Sequence, residues 1–226
     1  MKPIPYGHQH ISEADIAAVI EVLRSDWITQ GPAIERFESA VAQYCGARHA
    51  VAVANGTAGL HLAALALDLK PGDLLWTSAI TFAASANCAR YCGADVDFVD
   101  IDPQTANLGL DALERKLDRA RRAGRLPSVV VPVHFSGQPC DMERLGDLAR
   151  HYGFRMIEDA AHAVGSSYRG VKTGACRESE MAVFSFHPVK VITTGEGGMI
   201  LTNRDGLCER LRRLRSHGMT RDPAKM

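Results

Sequence analysis

The stretch EMAVFSFHPVKVITTGEGGMILTN, residues 180–203, decides the fold. Its first seven residues (180–186) and its last six (198–203) are apolar runs of strand length. The link from Phe186 to Gly198 shows no helical period. It is also short for a crossover between parallel strands, which takes a dozen or more residues and usually a helix. The second strand is therefore expected to run antiparallel to the first. Lys190 falls in the loop between them.

Outward from this hairpin, strand and helix patterns alternate. HAVAVA (49–54), DLLWTS (73–78), ADVDFVDI (94–101), SVVVPVH (128–134) and FRMIED (154–159) read as strands. TAGLHLAALALDL (57–69), TFAASANCARYC (81–92), GLDALERKLDRARRAG (109–124), DMERLGDLARHYG (141–153) and DGLCERLRRLRSH (205–217) read as helices. The first of these is apolar nearly all round and is expected to be buried, while 109–124 carries a basic outer face. The alternation predicts an α/β fold: a mostly parallel seven-stranded sheet with one antiparallel strand and helices on both faces. Residues 1–30 read as an N-terminal arm with one helix, ahead of a large domain over 31–226. In that arm Ile11, Ile16, Val19, Ile20 and Leu23 recur at helical spacing, with Ser12 and Asp15 placed as a capping box. A second helix is expected after Pro32.

The composition narrows the function. Lys+Arg and Asp+Glu both total 26, so the net charge is zero. That speaks against nucleic acid as a partner, which calls for a basic excess, and against an acidic disordered tail. No apolar run is long enough to span a membrane. The opening MKPIPYGHQH has neither the apolar centre nor the cleavage pattern of a signal peptide. A cytoplasmic protein is expected. The six cysteines (Cys45, Cys88, Cys92, Cys140, Cys176 and Cys208) are scattered along the chain, as buried free thiols rather than a disulfide framework. Cys88 and Cys92 share a helix, but no second pair stands at zinc-site spacing, so no metal is expected.

In open α/β sheets ligands bind beyond the carboxyl ends of the strands. The polar residues falling there are Asn55, Gly56, Thr57, Thr81, His134, Asp159, His162, Ser185, His187 and Lys190. In AVAVANGTAGLHL (50–62) a strand turns through glycine into a helix. The first N–H groups of that helix, on Gly56, Thr57 and Ala58, have no internal partners and suit an anion such as phosphate, with the Thr57 hydroxyl beside them. An ordinary capped turn would read the same. Neither a P-loop nor a dinucleotide fingerprint is present, which counts against a nucleotide-binding or NAD-dependent oxidoreductase. Asp159 is either a helix cap or turn residue, or a partner for a ring nitrogen. Phe82 is either core or a plate for a ring, Ser185 either a strand-end hydroxyl or a phosphate ligand, Lys190 either a solvated charge or a reactive amine. Taken together, an anion site, an aromatic plate, a carboxylate, a hydroxyl and a lysine are what pyridoxal phosphate requires.

These residues also carry a resemblance. WITQGP (27–32), ANGTAGLHLA (54–63), TFAASANC (81–88), VDIDP (99–103), PVHFSGQPCDM (132–142), IEDAAHAVG (157–165), FSFHPVKVITTGEGG (184–198) and RSHGMTRD (215–222) resemble, in order, the DegT/DnrJ/EryC1/StrS sugar aminotransferases. The resemblance implies the large domain of a fold type I pyridoxal-phosphate transferase, with the smaller C-terminal domain of the family missing from this chain. It implies Lys190 as the Schiff-base lysine, Asp159 at the pyridine nitrogen, His162 near the ring hydroxyl, Phe82 stacked on the ring, and Gly56, Thr57, Ala58 and Ser185 at the phosphate. Some members are dehydratases with histidine at the position of Lys190, so lysine implies transamination. The segments are most similar to the branch serving pseudaminic acid biosynthesis. That implies L-glutamate as amino donor and, as acceptor, C4 of a UDP-linked 4-keto-6-deoxy N-acetylhexosamine. Trp27, Thr29, His134, Gln138 and His187 are the expected sugar contacts, and the full-length protein is expected to be a homodimer.

Overall fold

In the computed structural model, which describes residues 7–219, the chain after Phe186 does turn back antiparallel. The opening MKPIPY lies outside the described residues, as do Thr220 to Met226 and with them the last part of the motif at 215–222. The main strands are β1 (His49–Val53), β2 (Leu74–Ser78), β3 (Asp95–Val99), β4 (Val129–Val131) and β5 (Arg155–Asp159). A two-stranded hairpin follows, β6 (Ser167–Tyr168) with β7 (Val171–Lys172), then β8 (Met181–Ser185) and β9 (Gly198–Thr202). The hairpin is too short to leave a period in the sequence. The helices are α1 (Glu13–Leu23), α2 (Pro32–Cys45), α3 (Gly56–Ala66), α4 (Ala84–Tyr91), α5 (Leu110–Arg122), α6 (Met142–Tyr152) and α7 (Asp205–Arg215).

The seven-stranded sheet has the order β1-β9-β8-β5-β4-β2-β3. Strand β9 runs antiparallel to both β1 and β8, and the other neighbours pair in parallel. Side chains alternate between the faces, as the pleat requires. Leu75, Val129, Val131, Ile157, Val183 and Ile200 meet α3, α4 and α7 on one face. On the other face Trp76, Val130 and Met156 meet Leu113 and Leu117 of α5 and Leu145 and Leu148 of α6. No residue of α3 is exposed, in keeping with its apolar circumference.

Several elements are shorter than their patterns. Strand β4 stops at Val131 because Pro132 has no N–H to donate. Pairing resumes with a bridge between Val133 and Asp159. Helix α4 starts at Ala84 rather than Thr81, so Thr81 and Phe82 stand in the turn before it. Helix α1 carries the expected capping box, Ser12 with Asp15, but buries none of its residues: Val19 and Leu23 are each about 60% exposed, as is Ile11 just before the cap.

Strand β1 lies at the edge of the sheet, where open backbone groups invite pairing. Glu38 of α2 closes part of that edge by accepting from Ala52 N–H at 2.9 Å and from Arg215 at 2.6 Å. Arg215 also donates to the Ala52 carbonyl at 3.1 Å. On the inner side of β1 the constraint is steric. A Cβ on Gly198 would stand 2.6 Å from the carbonyl carbon and oxygen of Asn55 and 2.9 Å from the nitrogen of Gly56. All three are backbone atoms that have nowhere to go. Gly198→Ala is therefore expected to cost about 1–3 kcal/mol and to push the Asn55–Gly56 turn outward. Denaturant unfolding and phosphate affinity measure the two effects; a variant matching the parent in both would contradict this account of the turn.

Candidate active site

Six of the seven strands point the same way, so their carboxyl ends share one rim. A cavity of about 270 Å³ opens there. Gly56, Thr57, Thr81, Phe82, His134, Asp159, His162, Ser185, His187 and Lys190 all line it, brought from five strand ends separated by up to 134 positions.

One end of the cavity is built to take an anion. Asn55 adopts an extended backbone and caps α3, its Oδ1 accepting from Ala58 N–H at 2.8 Å. The Ala58 N–H, expected to be open to an anion, is thus already used. Those of Gly56 and Thr57 have no acceptor within the helix and carry the positive end of its dipole. Gly56 is crowded on its other side: a Cβ there would lie 3.0 Å from Ser185 Cβ. The missing side chain lets Ser185 sit against the helix start. Ser185 Oγ accepts from His187 N–H at 3.5 Å, which leaves its own proton to donate.

Deeper in, Asp159 is 5% exposed and is neither a helix cap nor a solvated turn residue. Its backbone N–H donates to Pro132 O at 2.9 Å and its carbonyl accepts from His134 N–H at 3.0 Å, so the residue is pinned between β4 and β8. Its Oδ2 accepts from Ser85 Oγ at 2.5 Å and its Oδ1 from Ala161 N–H at 3.2 Å. Phe82 is 75% exposed at the mouth, which removes the core-packing reading. Lys190 is half-buried, in a loop held by Thr193 Oγ1 and Thr194 N–H, both donating to the Phe186 carbonyl. Burial pushes the Lys190 amine below the usual lysine range, while the charge of Asp159 pulls it back up. Burial and the Lys190 charge together lower His162, against Asp159, and favour the neutral imidazole.

Not every expected sugar contact is in place. His134 lines the wall, but both ring nitrogens are used. Nδ1 accepts from Cys140 N–H at 3.2 Å, and Nε2 pairs with Glu158 Oε2 at 2.9 Å. His187 stands exposed at the rim. Trp27, Thr29 and Gln138 are exposed outside the cavity; Trp27 lies against Gly31, and the Gln138 carbonyl accepts from the Asn107 amide at 3.0 Å. Two features of the site were not read from the sequence. Glu196 lines the cavity from the glycine cluster, and Ser85 of α4 lies buried behind Asp159, four residues after Thr81, a spacing that was there to be noticed.

The cavity offers free N–H groups and a hydroxyl at one end, a buried carboxylate within and an amine of lowered basicity beside it. That donor set fits pyridoxal phosphate: an anionic group, a basic ring nitrogen and an aldehyde. Comparisons with known proteins agree. The chain is 46% identical over 202 residues to GDP-perosamine synthase of Caulobacter vibrioides, covering 89% of this chain and 52% of that one. It spans about half the length of the curated relatives it matches. Helicobacter pylori PseC, an aminotransferase involved in the biosynthesis of pseudoaminic acid, superposes with a TM-score of 0.89 at 31% identity, over 98% of this chain and 58% of that one. Spr1654 of Streptococcus pneumoniae, solved in its PLP form, gives a TM-score of 0.85 at 30% identity, over 97% of this chain and 59% of that one. The fold is that of the large domain of fold type I pyridoxal-phosphate enzymes. With the family profile matching residues 9–226, the chain belongs to the DegT/DnrJ/EryC1/StrS aminotransferase family, and the relatives it matches are pyridoxal-phosphate-dependent sugar aminotransferases.

Proposed function

We propose that this protein, in its full-length form, transfers the amino group of L-glutamate to the C4 ketone of a nucleotide-linked 4-keto-6-deoxy sugar. The observation that carries the proposal is the meeting of Lys190 and Asp159 in one cavity with the open N-terminus of α3. The motif resemblance favours a UDP-linked N-acetylhexosamine, as in the transaminase forming UDP-4-amino-4,6-dideoxy-N-acetyl-β-L-altrosamine. A second reading, a GDP-linked sugar, is favoured by the higher identity to GDP-perosamine synthase. Phe82 at the mouth and Val191 and Ile192 in the Lys190 loop are exposed apolar groups, which supports a homodimer whose partner subunit closes the site.

When bound, pyridoxal phosphate supplies an electron sink for the carbon bearing the transferred amine. The residues of this chain do the rest. Gly56 and Thr57 N–H and the Ser185 hydroxyl would hold the cofactor's phosphate, Asp159 would accept the hydrogen bond of a protonated ring nitrogen, and Phe82 and His162 would line the ring. Lys190 Nζ would hold the aldehyde; as a free amine it would be the base that takes a proton from the donor's α-carbon and the acid that returns one at sugar C4.

Lys190→Ala is expected to lower turnover on the order of 10⁴-fold and to abolish the absorbance of lysine-bound cofactor; 2-oxoglutarate release and a visible spectrum check both. A variant that still transaminates would remove Lys190 from the mechanism. The electrostatics give a second expectation. Lys190 reacts as the neutral amine, so cofactor uptake should rise with pH through a midpoint below the ordinary lysine value of 10.5. Asp159 opposes that depression, so Asp159→Asn should move the midpoint to still lower pH; a shift upward contradicts the assigned coupling. For the substrate, the full-length protein is given L-glutamate with UDP- and GDP-linked 4-keto sugars. Release of 2-oxoglutarate with the UDP sugar alone supports the first reading, and with the GDP sugar alone the second.

A further inference from the structure

Asp159 has one side-chain donor among the described residues, the hydroxyl of Ser85. Ser85 is wholly buried in the first turn of α4, with its N–H on the Phe82 carbonyl at 3.1 Å. Its Oγ also lies 2.7 Å from Thr81 Oγ1. A hydroxyl has one proton. Ionised Asp159 accepts only, so the Ser85 proton goes to Oδ2, and Thr81 must give its own proton to Ser85. The direction of the whole chain follows: Thr81 to Ser85 to Asp159. Hydrogen bonds in such a series polarise one another.

We infer that Ser85 and Thr81 are positioning residues that lock the Asp159 carboxylate in one orientation, as an acceptor, toward the cofactor's ring nitrogen. The inference rests on the reading of Asp159 as the partner of that nitrogen and adds what holds it there. Ala161 N–H fixes Oδ1 from the loop after β5, and Ser85 fixes Oδ2 from α4, so the carboxylate cannot rotate. The same turn carries Phe82, so the aromatic plate and the carboxylate are set by one three-residue segment before α4 and its first turn. The other titratable groups facing Asp159 are Lys190 and His162 across the cavity and Cys88 one turn along α4. Burial pushes the Cys88 thiol up to about 12, so it brings no charge to compete with the hydroxyl chain. Ser85 and Thr81 do not touch the reacting atoms; they act through Asp159.

The test uses the full chain loaded with cofactor, with the ring-nitrogen NMR shift reporting how far that nitrogen holds its proton. In the parent the shift should report a protonated nitrogen. Ser85→Ala frees the carboxylate to turn away and is expected to move the shift toward the unprotonated position. Thr81→Val, which keeps the shape and removes the far end of the hydroxyl chain, is expected to move it the same way by less. A structural role alone would change the melting temperature and leave the shift where it is in the parent, and that result overturns the inference. An unprotonated nitrogen in the parent would overturn the reading of Asp159, and the inference with it. A protonated nitrogen in the parent, unmoved in both variants, would overturn the inference alone.

Discussion

The site depends on the close passage of β9 beneath the turn from β1 into α3. Gly198, lacking a Cβ, lies so near the Asn55–Gly56 backbone that no side chain fits between them. The contact places β9 antiparallel between β1 and β8 and so fixes what lies on either side of it. Ser185, at the end of β8, comes to rest against Gly56. The loop from Phe186 to Gly198 has to fold over the rim, and it carries Lys190 into the cavity. The one antiparallel strand is thus the device that brings a lysine to the anion-binding end of α3.

Around that contact the charges are arranged unequally. The first turn of α3 presents a partial positive charge with two unpaired N–H groups. Among the described residues lining the cavity, Asp159 is the one buried carboxylate; its neighbour Glu158 lies away from the cavity, engaged by His134 and by Ser179. Lys190 stands between burial, which disfavours its proton, and Asp159, which favours it. An amine in this position is more often neutral than a surface lysine, and a neutral amine is what attacks an aldehyde or removes a proton from carbon. The same chemistry would be lost with the residues in solvent.

The fold was largely legible because its signals are local and repeated. The lengths of the apolar runs, the alternation of strand and helix, and the short link after Phe186 decide the sheet and its antiparallel member. Elements without a period, such as the hairpin of β6 and β7, left no trace. The site was legible where a residue's place follows from a strand end, as for Gly56, Asp159, Ser185 and Lys190. It was not legible where side chains compete for partners. Asn55 takes the Ala58 N–H, and Glu158 and Cys140 claim both nitrogens of His134. Trp27, Thr29 and Gln138 came from motif resemblance and lie outside the cavity. Ser85 was missed because serine among alanines reads as a helix filler until Asp159, 74 positions away, is placed beside it.

The central claim is that Lys190 is the residue that takes the cofactor. Borohydride reduction of the full-length protein loaded with pyridoxal phosphate, followed by peptide mapping, tests it directly, because reduction makes a lysine-bound cofactor permanent. The account predicts one label per chain, on the peptide containing Lys190. Labelling of Lys70, Lys116 or Lys172 in its place, or no label in a protein that retains the cofactor, would contradict it.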